Sequence, residues 1–205
     1  MAPLGGSKPP RRRLSEGERR RQIIDAAVEE VAERGYEAAS LTRIAARAGV
    51  AKGLIWHYFS GKDDLMESGA KATMTTMRDD IVAKLDLAAP VPDIIRAALR
   101  CAALQVRTHR IELIAVNRIV HNLLRSDSSA DVVADVYEDI HRGQEALFRR
   151  GQTEGSLAVF DIRVMAVTYQ GSIDAMLDHL ERHPDVDPEE YAAVLAEVLL
   201  SGMSR

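Results

Sequence analysis

SLTRIAARAGVAKGLIWHYFSGKDDL, running from Ser40 to Leu65, is the stretch that decides the fold. Ser40 is a candidate N-cap. Behind it Leu41, Ile44, Ala45 and Ala48 recur at helical period, and Gly49 ends the short helix they define. Ala48–Gly49–Val50 makes a turn of about three residues before a second helix begins near Ala51. Two short helices around a glycine turn have the spacing of a helix-turn-helix, a spacing that a plain helical hairpin shares. Gly49 suits the left-handed backbone such a turn needs, and the small Ala45 lets the two helices approach. The second helix then crowds Trp56, His57, Tyr58 and Phe59 together, in a chain with 1 Trp, 5 Tyr and 3 Phe. Ile55 and Phe59, four apart, share one face and read as the inward pair. Trp56 and Tyr58 cannot join that face at helical spacing. With His57 they offer flat apolar bodies with polar tips, and indole N–H and phenol O–H donate to phosphate.

Outward from this stretch the pattern is helical throughout. An N-terminal helix opens on Ser15 and Glu18 in capping-box spacing, buries Ile23, Ile24, Ala27, Val28 and Val31, and stops at Gly35. Arg19, Arg20 and Arg21 crowd its positive end, an arrangement that an external anion such as phosphate relieves. Residues 1–14 read as a disordered basic tail, in which Arg11, Arg12 and Arg13 are either a DNA-reaching arm or a solubilising run. Ser60 reads as the cap of a fourth helix, with Asp63 in the capping-box position and Asp64 beside it, extending to about Asp86. Pro90 and Pro92 break the chain, and helix resumes from Asp93. Residues 93–125 hold no Gly or Pro, which leaves one helix or two open. Asp127–Ser129 read as a loop. Further helices are expected over about 130–153, from Asp161 to Arg182, and from Pro188 to Gly202. No strand pattern and no internal repeat is present. The fold class is all-α: a three-helix helix-turn-helix domain over 15–60, then a helical domain over 61–205.

Charge is divided in the same place. Residues 1–60 carry 11 Lys and Arg against 7 Asp and Glu, the remainder 16 against 24. The first part suits a polyanion. One cysteine, Cys101, forbids an intramolecular disulfide framework and fits a reducing compartment. No apolar run approaches the ~20 residues of a membrane span, and the basic N-terminus lacks a signal-peptide core, so the expected location is cytoplasmic with no membrane partner. No nucleophile–base set, metal cluster or phosphate loop stands out, so an enzyme is not expected, nor a cofactor or metal. His179 and His183 are spaced i,i+4, but without an acidic or cysteine third ligand they read as a solvated helix end.

Ser40, Ile44-Ala45, Ala48-Gly49-Val50, Lys52-Gly53, Trp56, Tyr58-Phe59 and Lys62-Asp63-Asp64-Leu65 fall, ungapped, on the DNA-binding motif of the TetR family of transcriptional regulators, which this stretch resembles. The resemblance covers about a quarter of the chain. It implies a recognition helix at 51–58 seated in a major groove of double-stranded DNA. The expected DNA-binding residues are Ser40, Thr42, Lys52, Gly53, Leu54, Trp56, His57, Tyr58 and Lys62. Ser40 and Thr42 sit at a helix start able to hold phosphate, Gly53 permits close approach, Leu54 suits a thymine methyl, and Lys62 suits a phosphate. Leu54 stands where many members have a small polar residue, Trp56 where Tyr is usual, and Ala51 where Ser is common, so no operator sequence carries over from a relative.

The family layout further implies a homodimer on a palindromic operator, with recognition helices about 34–36 Å apart, and a small-molecule effector bound among the middle helices. Polar residues on apolar helices are the effector candidates: Asn117, His121, Tyr137, His141, Gln144, Tyr169 and Gln170, with Asn117 and His121 sharing a face. Gly171, Ser172, Ala175, Leu195, Val198 and Leu199 are the dimer candidates, where small side chains allow close helix packing. The function expected is a repressor released by its ligand. The alternative is a constitutive DNA-binding dimer or an activator without an effector.

Overall fold

The computed structural model describes residues 14–123 and 130–204, the side chains of 130–133 excepted. The expected tail with Arg11, Arg12 and Arg13, and the expected loop at Asp127–Ser129, lie outside the described residues. Nine helices and no strand occur among those described. They are α1 (Glu16–Arg34), α2 (Leu41–Ala48), α3 (Lys52–Tyr58), α4 (Lys62–Val82), α5 (Val91–Thr108), α6 (Arg110–Leu123), α7 (Ala130–Glu154), α8 (Ile162–Arg182) and α9 (Pro188–Met203).

Local chemistry explains most of the helix ends. Ser15 and Glu18 close a reciprocal capping box, the Glu18 amide reaching Ser15 Oγ at 3.2 Å and the Ser15 amide reaching Glu18 Oε2 at 2.8 Å. Ser40 Oγ accepts from the Arg43 amide at 3.3 Å and caps α2. Gly49 ends α2 at φ 65, ψ 33, the left-handed region in which a side chain is strained. Asp161 and Asp187 cap α8 and α9 through their carboxylates.

Three boundaries differ from expectation, and a fourth, left open by the sequence, is settled. The N-cap of α4 is Gly61 rather than Ser60, because Asp64, not Asp63, turns back to accept from the Ser60 amide (2.8 Å) and hydroxyl (3.0 Å). That helix ends at Val82, and residues 83–85 tighten into shorter turns. Helix α5 begins at Val91, with Pro92 inside its first turn, where the missing N–H has no helical partner to lose. The stretch 93–125 is broken at His109 (φ −131, ψ 36) into α5 and α6.

Two cores hold the helices. The first gathers Ile23, Ala27 and Val31 of α1, Ile44 and Ala48 of α2, Ile55, Phe59, Leu65, Met66 and Ala70, and closes on Ala115, Ile119 and Leu123 of α6. Its apolar packing therefore continues past residue 60 into α4 and α6. The second gathers α5, α7, α8 and α9 around Leu99, Phe148, Tyr169, Met176 and Ala196. A Cβ at Gly151 would stand 2.6 Å from Leu157 Cδ1, so only glycine admits this approach of the α7–α8 loop. Within α8, Tyr169, Met176 and Leu180 turn into this second core.

Since Ile119 is fully buried in the first core, Ile119→Ala is expected to destabilise the protein by ~2–4 kcal/mol in equilibrium urea unfolding. A loss below ~0.5 kcal/mol would mean that α6 is not part of that core.

Candidate nucleic-acid interface

Helix α3 is seven residues long and is fastened by its inward side alone. Ile55 and Phe59 are 0% and 2% exposed, whereas Trp56 is 54% exposed. Lys52, Gly53 and His57 are exposed as well, and Leu54 and Tyr58 are partly buried. His57 and Tyr58 meet edge to face at 5.0 Å. At the start of α2, Thr42 and Ser40 are exposed on the same protruding motif. Arg43, which the sequence reading did not single out, is exposed beside them. Its signal was a cation in the first turn of α2, where the helix dipole gives it no help.

A frame of charged groups positions this motif from behind. Arg47 of α2 spans three carboxylates of α1, with Nε 2.7 Å from Glu30 and Nη1 3.3 Å from Glu29, and Nη2 on Glu33. Glu30 is 3% exposed, so its charge is tolerated only because Arg47 and Arg34 pair with it. The Gln22 amide donates to the Ala48 carbonyl at 2.7 Å and so closes the C-terminal end of α2. Of the three arginines expected to seek an external anion, each has a partner inside the protein. Arg19 bonds Gln22 at 2.8 Å, Arg20 bonds Ser68 at 2.9 Å and lies over the Phe59 ring at 4.9 Å, and Arg21 pairs with Asp25 at 2.9 Å.

Lys62 is engaged too. Its Nζ donates to the Tyr36 carbonyl at 2.6 Å and stands over the Tyr36 ring at 4.5 Å. The Tyr36 hydroxyl donates to Asp63 at 2.7 Å, and burial, followed by that carboxylate, pushes the phenol pKa upward. This cluster ties the α1–α2 loop to the start of α4, directly behind α3.

Away from α3, five of the seven effector candidates come together in a seam between α7 and α8. Gln144 Nε2 donates to Gln170 Oε1 at 2.8 Å, and Gln170 Nε2 donates to Asp174 at 2.8 Å. Tyr137 also hydrogen-bonds Asp174 and lies beside His141, their rings 6.1 Å apart. Tyr169, 3% exposed, packs edge to face on Phe148 at 5.5 Å. The Tyr169 hydroxyl and Gln144 Oε1 are buried without a partner, which is uncommon in a settled core. Desolvation raises the Asp174 pKa, against its hydrogen bonds from Gln170 and Tyr137. Asp174 is the member that sequence reasoning missed. Its signal was an acid four residues after Gln170 within an apolar helix.

The other two effector candidates stand elsewhere. Asn117 and His121 are exposed on α6, and Asn117 donates to Glu181 of α8 at 3.0 Å. On α8 and α9, Gly171 and Ala175 are exposed, Ser172, Leu195 and Leu199 are partly buried, and Val198 is 62% exposed. Val164, Val167 and Val194, at 63%, 49% and 62%, extend the apolar exposure of these two helices. His179 and His183 stack on each other at 4.2 Å, and Tyr191 stacks on His179 at 5.3 Å.

A short helix presented outward by a glycine turn, on an all-α body, defines a helix-turn-helix protein. Residues 23–68 match the family model described as bacterial regulatory proteins, tetR family. HTH-type transcriptional regulator BetI 1 of Chromohalobacter salexigens is 44% identical over 63 residues, which are 31% of this chain and 31% of that protein. The chain thus matches about a third of the length of such curated relatives. The fatty acid degradation regulator FadR of Bacillus halodurans superposes with a TM-score of 0.78 at 24% identity, covering 91% of this chain and 97% of that one. FadR of Bacillus subtilis, in complex with stearoyl-CoA, superposes at 0.75 and 25% identity, over 89% and 98%. The likeness in sequence to the tetR family thus lies in the DNA-binding segment, residues 23–68.

Exposure separates two neighbouring residues of α3. Trp56→Ala is expected to change stability by less than ~0.5 kcal/mol and Ile55→Ala to cost ~2–4 kcal/mol, both read from urea unfolding. Asp174 supplies a pH signature. A carboxyl whose folded pKa lies above its unfolded value contributes stability at low pH, and that contribution is lost as pH rises through the folded pKa. Asp174→Asn is therefore expected to gain stability relative to the parent as pH rises from acidic to neutral. A difference that does not change with pH would contradict the raised pKa.

Proposed function

We propose that the protein is a dimeric, sequence-specific DNA-binding regulator of transcription, a repressor that leaves its operator when a small molecule binds. The observation that carries this reading is the outward side of α3. Lys52, Trp56 and His57 are exposed there while Ile55 and Phe59 fasten the same helix to the core. A helix of this length reaches base edges only when its frame stands outside the groove. Thr42, Ser40, Tyr58 and Arg43 then serve as phosphate contacts, and Lys52, Leu54, Trp56 and His57 face the bases. Lys62 acts chiefly through the Tyr36 carbonyl, setting the angle of the motif.

The apolar exposure at Val164, Val167, Val194 and Val198 supports a second copy of the chain on α8 and α9, with Gly171 and Ala175 admitting close approach. The polar seam between α7 and α8 supports an effector site, because the Tyr169 hydroxyl and Gln144 Oε1 are buried there without partners. Tyr137 joins that seam to the first core, against which its ring packs. A ligand that rearranged the Tyr137–Asp174 bond would act on the body that carries α3. The FadR likeness supports a small-molecule effector, since that protein is described with stearoyl-CoA.

Selection of a binding sequence from random duplexes, followed by gel shift, tests the reading. Trp56→Ala is expected to lose at least ~10-fold in operator affinity. Lys62→Ala is expected to weaken binding at every sequence, and where its ammonium also meets a phosphate the salt slope falls by about one. Val198→Asp is expected to shift the chain toward monomer in sedimentation and to weaken operator binding with it. Selection that enriches no sequence would overturn the proposal.

A further inference from the structure

Helix α6 holds two adjacent polar residues that reach opposite halves of the protein. Arg118 Nη1 donates to the Val31 and Ala32 carbonyls in the last turn of α1, at 3.0 and 2.8 Å. That turn is the negative end of the α1 dipole, where the Val31 carbonyl also accepts the Gly35 amide at 2.9 Å, so a guanidinium there is favoured by charge as well as by hydrogen bonding. Asn117, the preceding residue, donates to Glu181 near the end of α8 at 3.0 Å. On its buried side α6 gives Ala115, Ile119 and Leu123 to the first core. Helix α6 thus packs on α1, which carries α2 and α3, and on α4, while its chain link to α5 is the break at His109 and its polar link to α8 is Asn117.

We propose that Arg118 is a positioning residue: it locks the end of α1 onto α6, so that α1–α3 and α6 turn as one body against α5 and α7–α9. In the absence of the guanidinium the buried side of α6 still packs, but the two hydrogen bonds that set the rotation of α1 about α6 are lost. Hydrophobic contact is non-directional, whereas two charge-assisted hydrogen bonds to carbonyls of one turn set an angle. Because α1 carries α2 and α3 through Arg47 and Gln22, an error in that angle is passed to α3. The inference extends the DNA-binding reading by naming what sets the orientation of the reading helix, but its first test needs no DNA.

In a Cys101→Ser background, Ala38→Cys and Thr153→Cys place one spin label before α2 and one near the end of α7. Both positions are exposed. Labelled chain is diluted with unlabelled chain so that distances within one protomer are read. Arg118→Met keeps an apolar stem over α1 and removes the donors, and Arg118→Lys restores a donor. The expected result is a distance distribution clearly broader for Arg118→Met than for the parent, narrowed again by Arg118→Lys, with helical content unchanged. On a selected duplex, Arg118→Met is expected to bind about five- to tenfold more weakly and Arg118→Lys nearly as the parent. Superimposable distributions for the parent and Arg118→Met would overturn the proposal whatever the DNA result. A broadened distribution in a protein that binds no duplex would sustain the positioning role and sink the DNA-binding reading instead. Should Arg118→Met fail to fold, Arg118→Gln is measured in the same way, with the same two outcomes.

Discussion

Burial of Ile55 and Phe59 is the contact on which the outward surface depends. Helix α3 is too short to be stable by itself. It has no side-chain N-cap and ends at Phe59 in extended backbone. Its stability is therefore tertiary, drawn from two side chains four residues apart that enter the core of α1, α2 and α4. Once they are inside, the helical period leaves Lys52, Trp56 and His57 no direction but outward. Crowding of aromatics in this stretch is the result of that geometry: one ring, Phe59, belongs to the core, and Trp56 and His57 are surface.

The same core shows where the mechanical division of the chain lies. A boundary read from the motif falls at residue 60, since the helix-turn-helix ends there. Packing crosses that point, with Leu65, Met66 and Ala70 of α4 and three residues of α6 filling the space under α1. Motif and body coincide on one side only, because a three-helix motif exposes too much apolar surface to close alone. Long helices from the other half complete it. This makes α4 and α6 shared elements, and shared elements are where movement in one half is felt in the other.

Legibility in the sequence followed how local the cause was. The capping box at Ser15, the turn at Gly49, the inward pair Ile55 and Phe59, and the helix start at Asp161 rest on side chains and backbone a few residues apart, and a reader of the sequence reaches them. The break at His109 has no such signal, since Thr108 and His109 are ordinary helix residues. What holds the break is distant: His109 Nε2 meets Asp80 of α4 at 3.0 Å. Asn117 and His121 share a helical face as the spacing says, but spacing does not tell which face is buried, and this one looks outward. Asp174 went unnoticed for the complementary reason. A carboxylate on a helix is read as solvent-facing, and only the packing of α7 against α8 turns it inward. Lys62 reads as a free cation in sequence because its partners are carbonyl oxygens, which carry no sequence signal at all.

Asp174 also bears on why the seam between α7 and α8 is polar. Leucines at Gln144, Gln170 and Asp174 would pack without the desolvation cost that a half-buried carboxyl brings. The polar set is not even fully satisfied, with the Tyr169 hydroxyl and Gln144 Oε1 left over. In a seam of that kind an unused donor or acceptor gains by exchanging partners. Tyr137 makes such an exchange consequential. Its hydroxyl belongs to the seam through Asp174, while its ring packs on the core beneath α1–α3. A change of partner at one end of this side chain displaces the other end, and Arg118 converts displacement at α6 into rotation of α1. On the proposed reading, the stability forgone in the seam is what would let a weakly bound molecule favour one orientation of α3 over another.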